Sequence, residues 1–366
     1  MSDTDMAAAH TTLIVTPRER FGLAVRSLKS IVGTTSGPYK LVYIDGNSPR
    51  TVARELQAIC EREGFTYVRR DRYLSPNQAR NLGLSHADTK LVTFIDNDVI
   101  VSDGWLQALE RCAEETGAEV ICPLTCQREP LHTEVHQAGG EITADLSSFF
   151  GGSPAERRLI DRHILQGKPV ERVSSERADV QACEFHCVMV RRDVFDRLGP
   201  LDERLLATKE HLDFSLSVWA SGGRVMMEPR SVVTYLFPAG ANKLQVSDWP
   251  YFALRWSPVW LSRSLAHFQS KWELEDDPYF ARRAHMLDWR HVEGIVRPTL
   301  KKIPFLPRSG KVAKAFAWAG KRTLDLWSRF MAKRHGPQPT ASVETRKPAR
   351  PQLAGNISAQ RFPVHS

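Results

Sequence analysis

The run Leu91-Val92-Thr93-Phe94-Ile95-Asp96-Asn97-Asp98 carries an apolar stretch onto two carboxylates, Asp96 and Asp98, one residue apart. Side chains at i and i+2 of an extended chain project to the same side. There two carboxylates can hold a hard divalent cation or its waters. In an open parallel sheet, ligands bind outside the carboxyl ends of the strands, and a cation at that end would neutralise a departing diphosphate. Taken alone, Asp-Asn-Asp reads more readily as a solvated turn, because Asp and Asn are favoured turn formers. Its position and its company have to decide.

A second acidic group lies in Thr208-Lys209-Glu210-His211-Leu212-Asp213. At helical spacing Leu212, Leu216 and Trp219 share one face, and Glu210 and Asp213 lie together on another. One face packs and the other can line a cleft, where an ionised carboxylate can take a hydroxyl proton. Acidic residues in a first helical turn also favour the helix dipole with no chemistry at all. Two cysteine pairs, Cys122/Cys126 and Cys183/Cys187, have His132, His136 and His186 nearby in sequence, and structural zinc sites use such pairs. Each pair falls on or beside a predicted core strand, where free Cys is a small buried hydrophobe. Thiols rather than zinc ligands are expected.

The elements that must position these residues are legible from residue 11 onward. Apolar runs at Thr12 to Thr16, Leu41 to Ile44, Thr66 to Val68, Leu91 to Ile95 and Glu119 to Cys122 alternate with amphipathic helices. This is the pattern of a parallel sheet wound with crossover helices. Ser48-Pro49 and Ser75-Pro76 predict helix starts, Asp103 a third, and Gly64 and Gly117 predict stops. Residues 126–180 are polar and read as loops with one short helix. A strand at Cys187 to Val190, a short helix at Asp193–Leu198, a helix from about Thr208 to Ala220, and apolar stretches at Arg224 to Met227 and Val232 to Leu236 follow. From 245 the composition turns to Trp, Arg and Phe, giving helical segments that need a partner surface. These boundaries predict an unordered 1–10, a catalytic domain over 11–240, a helical extension over 241–335 and an unordered 336–366.

Motifs in this order resemble the family-2 glycosyltransferases and, more broadly, the GT-A fold, over roughly residues 11–236. LIVTPRER is similar to the family's first strand and donor-base loop, and LVYIDGNSP to the second strand ending in an Asp that contacts the nucleobase. SPNQARNLGLSHADTKLVTFIDND resembles an Ala-Arg-Asn helix followed by the metal-binding strand. CEFHCVMVRRDVFDRLGPLDERL resembles the acceptor-side strand and helix. TKEHLDFSLSVWASGG resembles the acidic helix of family-2 enzymes and of polypeptide N-acetylgalactosaminyltransferases. The resemblance implies an inverting, metal-dependent transfer from a nucleotide-diphosphosugar, with UDP the default nucleotide, to a hydroxyl of a glycan or glycolipid. It implies donor contacts at Thr16, Pro17, Arg18, Asp45, Arg80, Asp96 and Asn97, and a divalent metal (Mn2+ or Mg2+) on Asp98 and Asp96. The acidic helix departs from the commonest family pattern, which has Asp directly after Glu; His211 stands there. The base is therefore expected among Glu210, His211 and Asp213, with Asp213 preferred. Tyr235 stands where relatives often have a metal-binding His, so a third metal ligand has to come from elsewhere, or the ion from carboxylates, water and donor alone. A sugar-phosphate nucleotidyltransferase would need a Gly-rich basic phosphate loop after the first strand, which PRERFG does not supply. A non-catalytic sugar-nucleotide or glycan-binding scaffold is the reading from another class.

Hydrophobic content of 42% and charged content of 25% over 366 residues exclude collagen-like, coiled-coil and wholly disordered classes. The formal charge of +8 is uneven: residues 301–366 hold fourteen Lys/Arg against Asp325 and Glu344, leaving 36 basic and 40 acidic residues in 1–300. The basicity belongs to an appendage and does not describe a nucleic-acid-binding core. Lys311–Lys333 places Val312, Phe316, Leu324, Trp327, Phe330 and Met331 near one helical face with Lys and Arg interleaved, which predicts peripheral contact with an anionic membrane or packing on the catalytic domain. Without a signal-like N-terminus or an apolar run of membrane-spanning length, the expected location is cytoplasmic, at the inner face of the cell membrane where it is peripheral.

Overall fold

The structure is a computed structural model describing residues 9–236, 244–274, 277–284, 286–287, 289–304 and 309–335. The unordered ends expected at 1–10 and 336–366 lie, apart from residues 9 and 10, outside the described residues. The strands are β1 (Thr11–Thr16), β2 (Lys40–Gly46), β3 (Thr66–Arg70), β4 (Leu91–Asp96), β5 (Val99–Val101), β6 (Val120–Gln127), β7 (Val135–Gln137), β8 (Gly140–Glu141), β9 (Arg162–His163), β10 (Ala178–Asp179), β11 (Cys187–Arg191) and β12 (Val225–Tyr235). The main sheet runs β10-β12-β6-β11-β4-β1-β2-β3, with β5 on β12 and β7 on β6. β1, β2, β3 and β4 are mutually parallel, β6 is parallel to β12, and β11 runs antiparallel between β4 and β6.

Every residue of β1 and β4 is buried, as expected of central strands covered on both faces. Alternation sends Leu13 and Val15 to one core and Ile14 to the other. Leu28 and Ile31 of α1 (Ala24–Thr34), Leu56 and Ile59 of α2 (Arg50–Glu63), and Trp105 and Leu109 of the later helix Trp105–Thr116 complete the first core. The second takes Ala79 from α3 (Pro76–Leu84). Numbering the helix Trp105–Thr116 as α4, the chain continues with α5 (Leu146–Gly151), α6 (Asp193–Leu198) and α7 (Glu210–Ala220), and Phe195 and Phe214 bring the last two onto the second core. Gly83 lets α3 lie against the sheet: a Cβ there would fall 2.2 Å from Ile14 Cγ2.

The expected stops hold, with Gly64 and Gly117 left-handed at φ 71° and 68°, and Ser75 forms a capping box with Gln78. The other start signals shift. Pro49 itself occupies the N-cap of α2, because Ser48 gives its N–H and hydroxyl to Asp45. Gly104 rather than Asp103 caps α4. The apolar stretches around 224–227 and 232–236 form one strand, β12, whose register shifts between Glu228 and Val232. Pro229 in that interval has no N–H for the ladder. Residues 126–180, expected as loops, also carry β7 to β10.

The aromatic segments after 245 find their partner surface partly on the α/β sheet region, through Phe21, Leu206 and Ala207. Tyr251 and Phe252 of α8 (Trp249–Arg255) and Trp260 of α9 (Pro258–Lys271) cluster with Phe21, Ile295, Leu324 and Met331. Trp272 packs instead with Leu212 and Leu216 of α7. Trp289 stays 42% exposed. Among the described residues no helix is long and apolar enough to cross a membrane.

Candidate active site

Asp96 closes β4 beside Thr16 at the end of β1. Asn97 clasps the two together: its N–H donates to Thr16 O at 3.0 Å, and its side-chain oxygen accepts from Arg18 N at 2.8 Å. Pro17 sits where the β1 loop passes Gly46, whose missing Cβ would stand 3.1 Å from Pro17 Cγ. These contacts fix the loop Thr16-Pro17-Arg18 against the acidic turn.

From that loop a closed ring of opposite charges runs through the interior. Asp96 meets Arg18 at 3.3 Å, Arg18 meets Glu19 at 3.8 Å, and Glu19 meets Arg255 of α8 at 3.0 Å. Arg255 reaches Glu210 at 3.5 Å, Glu210 reaches Arg80 of α3 at 3.9 Å, and Arg80 returns to Asp96 at 3.5 Å. Three carboxylates face three guanidinium groups, so the ring is neutral although buried. Burial would raise the Asp96 carboxyl, but Arg18, the His186 hydrogen bond and Arg80 hold it below the usual carboxylate range. Glu19 is likewise held far down against its own burial, by Arg255, Arg18 and the Trp256 indole. The ring is not saturated: the Nε of Arg18, Arg80 and Arg255, and Glu210 Oε2, are buried without a hydrogen bond, Arg18 Nε meeting Glu19 only at ion-pair range.

Asp98 is fully buried. Its Oδ2 accepts from Arg20 at 2.6 Å, whereas Oδ1 has no partner. A buried carboxylate oxygen left unpaired is costly, and Asp96, Asp98 and His186 each bring a ligand atom within 4.8 Å of the others. Two carboxylates and an imidazole suit Mn2+, and that orphan oxygen is what an ion would use. His186 supplies the nitrogen that Tyr235 cannot; the two rings stack with centroids 4.0 Å apart. Arg20 lies over the other flank of Tyr235, 4.9 Å from its centroid.

Asp45 lies elsewhere, at the end of β2, where its carboxylate accepts from Ser48 N, Ser48 Oγ, Tyr67 OH and Arg69. It shapes the loop beside a cleft of about 420 Å³ lined by Asn47, Ser48, Arg69, Asp71, Tyr73 and Ser247. The acidic helix divides its residues. Glu210 enters the charge ring. Asp213 does not: its Oδ2 accepts from Lys271 and its Oδ1 from the Trp272 indole, both at 2.8 Å. Burial pushes the Asp213 carboxyl up against the opposing pull of Lys271. His211 sits among Glu184, Glu210 and Asp161, and burial pushes its imidazole down.

The site thus gathers Thr16, Pro17, Arg18, Arg80, Asp96, Asn97, Asp98 and Glu210, and leaves Asp213 in a separate ion pair. Sequence reading missed Glu19, Arg20, Arg255 and the placement of His186. For Glu19 and Arg20 the adjacent Arg18 was the available signal. Arg255 lies beyond the expected 11–240 boundary and carried none. All six cysteines are buried and free of disulfide bonds.

The family model for glycosyl transferase family 2 matches residues 13–199. Similar proteins include putative polypeptide N-acetylgalactosaminyltransferase 9 of Drosophila melanogaster, 27% identical over 165 residues, covering 44% of this chain and 24% of that protein. Polypeptide N-acetylgalactosaminyltransferase 6 of Bos taurus is 21% identical over 280 residues, 69% of this chain and 42% of its own length. Polypeptide N-acetylgalactosaminyltransferase 4 of Mus musculus is 22% identical over 267 residues, 71% and 45% respectively. The chain spans less than half the length of these relatives. A crystal structure of GalNAc-T7 with UDP, GalNAc and Mn2+ aligns at a TM-score of 0.49 and 17% identity, over 82% of this chain and 59% of that one.

Proposed function

The chain belongs to glycosyl transferase family 2 and is a glycosyltransferase with a GT-A-type α/β domain, and we propose that it moves a sugar from a UDP-linked donor to an acceptor hydroxyl at the Asp96-Asn97-Asp98 turn. The observation that carries this is the unpartnered, buried Asp98 Oδ1 beside Asp96 and His186. A divalent cation bound by Asp98 and Asp96 would neutralise the diphosphate leaving group. Arg18 and Arg80 flank that position with unspent N–H groups, and Arg pairs well with phosphate oxygens. The cleft beside Asp45 is where the base would rest, with Asp45 shaping the wall through Ser48 and Arg69. Glu210, whose Oε2 is free of protein partners, is the acid we assign to the acceptor or transferred sugar. We retain inversion and a glycan or glycolipid acceptor from the family resemblance. The relatives' names point to polypeptide hydroxyls as the competing acceptor class.

Incubating the full chain with Mn2+, a panel of nucleotide sugars and glycan, glycolipid or peptide acceptors tests this. Nucleoside diphosphate release coupled to acceptor glycosylation is expected. Pyrophosphate release, or turnover with no dependence on a divalent ion, would overturn the reading.

The C-terminal helix Gly310–Arg334 supports a membrane-surface partner, although its stripe is split. Leu324 and Met331 turn inward to the α8 cluster, while Val312, Phe316, Leu326 and Phe330 are 48–68% exposed. Arg322, Arg329 and Lys333 accompany the exposed residues along the helix, a combination that suits an anionic lipid surface. Replacing Phe316, Leu326 and Phe330 by Ser leaves the packed face untouched. Co-sedimentation with phosphatidylserine vesicles should fall about tenfold or more, from roughly 1.5 kcal/mol or more lost per buried apolar side chain; unchanged co-sedimentation would leave this face a solvent surface.

A further inference from the structure

Beside the donor turn lies a second cluster, of which the proposed transfer uses only His186. β7 carries His136, β9 carries His163, and the segment leading into β11 carries Glu184 and His186. Three imidazole nitrogens converge on one carboxylate: His136 Nε2 is 2.8 Å and His186 Nε2 3.0 Å from Glu184 Oε2, and His163 Nε2 is 3.4 Å from Glu184 Oε1. His136, Glu184 and His163 form a ligand group by themselves.

The far side of one ring fixes its tautomer. His136 Nδ1 faces Gln127 Oε1 at 3.1 Å. The Gln127 amide nitrogen is committed to Glu134, so Oε1 is the acceptor and His136 Nδ1 donates. Neutral His136 therefore turns its Nε2 lone pair onto the Glu184 carboxylate, and a cation between them reconciles the two. Protonating both His136 and His163 instead would place two imidazolium ions side by side, with ring centroids 5.0 Å apart. His186 belongs to the donor side, its Nδ1 3.1 Å from Asp96 Oδ2. Bonds of about 2.1 Å at tetrahedral or octahedral angles put neighbouring ligand atoms roughly 3.0–3.4 Å apart, near the 2.8 and 3.4 Å that separate Glu184 from His136 and His163. Histidine ligands whose other nitrogen donates to a carboxylate or carbonyl-type oxygen are also the usual arrangement around a bound metal.

We propose that His136, His163 and Glu184 form a second cation site, taking a divalent transition ion that favours imidazole, such as Zn2+ or Co2+. Side-chain exposures of 18% at His163 and 20% at Glu184 give an ion a route in. His186 bridges the two positions, 3.0 Å from Glu184 and 3.1 Å from Asp96, while the three ligands of the second site lie outside the donor turn.

The experiment uses the full chain stripped with chelator and titrated with Co2+ and Zn2+, read by metal equivalents and by the visible absorption of bound Co2+. In an Asp98→Asn background, which disables the donor-side position, one equivalent should still bind with the spectrum of imidazole ligation. His136→Ala and His163→Ala should each weaken that binding about 100-fold or more, and Gln127→Leu roughly 10–100-fold, the range for removing a hydrogen bond behind a ligand. Glu184→Gln, nearly isosteric, serves if a histidine variant fails the circular-dichroism check of folding. Absence of Co2+ and Zn2+ binding in Asp98→Asn, or binding indifferent to His136, His163 and Glu184, would overturn the proposal. UDP binding is measured separately, so failure of the donor reading leaves this result distinguishable.

Discussion

Asp98→Asn is expected to lower sugar transfer by roughly 10²–10³-fold, the loss that follows removal of a preorganised electrostatic partner of the developing charge, and to make UDP binding insensitive to Mn2+. The reason lies in the two oxygens. Oδ2 is spent on Arg20 at 2.6 Å, and Oδ1, buried and unpartnered, is the atom available to an ion. The amide keeps the shape but removes the charge. It also leaves Arg20 buried opposite a neutral group, and breaking a buried pair costs stability in its own right. Arg20→Met combined with Asp98→Asn separates the two effects: the double variant should recover thermal stability and stay inactive. Initial rates and calorimetric UDP affinity with and without Mn2+ are the measurements. Full transfer by Asp98→Asn would remove the turn from the catalytic site.

What the sequence disclosed of this site, and what it hid, follows from how far each interaction reaches along the chain. Asp96 and Asp98 stand out because a buried strand ends on them, and strand and turn are local patterns. Ser75, Gly64 and Gly117 are equally local, and they mark helix ends where expected. Ser48 reads locally as a helix cap, yet Asp45 takes its donors and the cap moves to Pro49. The charge ring is invisible in one dimension, since Glu19 and Arg255 are 236 positions apart and no periodicity marks either. His186 resembled a neighbour of Cys183 and Cys187; only the antiparallel pairing of β11 with β4 brings it to Asp96. The stripe on Gly310–Arg334 was visible as one apolar face, but hydropathy cannot say which half meets α8. For Asp213, helical spacing correctly separated the acidic face from Leu212 and Leu216. The partners that decide its role, Lys271 and Trp272, come from the end of α9.

Those partners set up opposite outcomes for the two acids of α7. Asp213 accepts from Lys271 and the Trp272 indole and so ties α9 to α7. Asp213→Asn should cost about 1.5–3 kcal/mol of folding stability, the range for hydrogen bonds to a charged group, while turnover at a permissive temperature changes little. Glu210 occupies the charge ring between Arg80 and Arg255, two contacts from Asp96, with Oε2 unpartnered. Glu210→Gln keeps the shape and should lower turnover by roughly 10²–10⁴-fold, the range for loss of a general acid–base group, with UDP affinity nearly intact. His211→Ala, lacking a hydrogen-bond role in the ring, should fall between them in activity and near wild type in stability. Denaturant midpoints and initial rates on the three variants decide the assignment. A loss of turnover in Asp213→Asn at unchanged stability would return the base to Asp213, and its ion pair with Lys271 would then have to open during transfer.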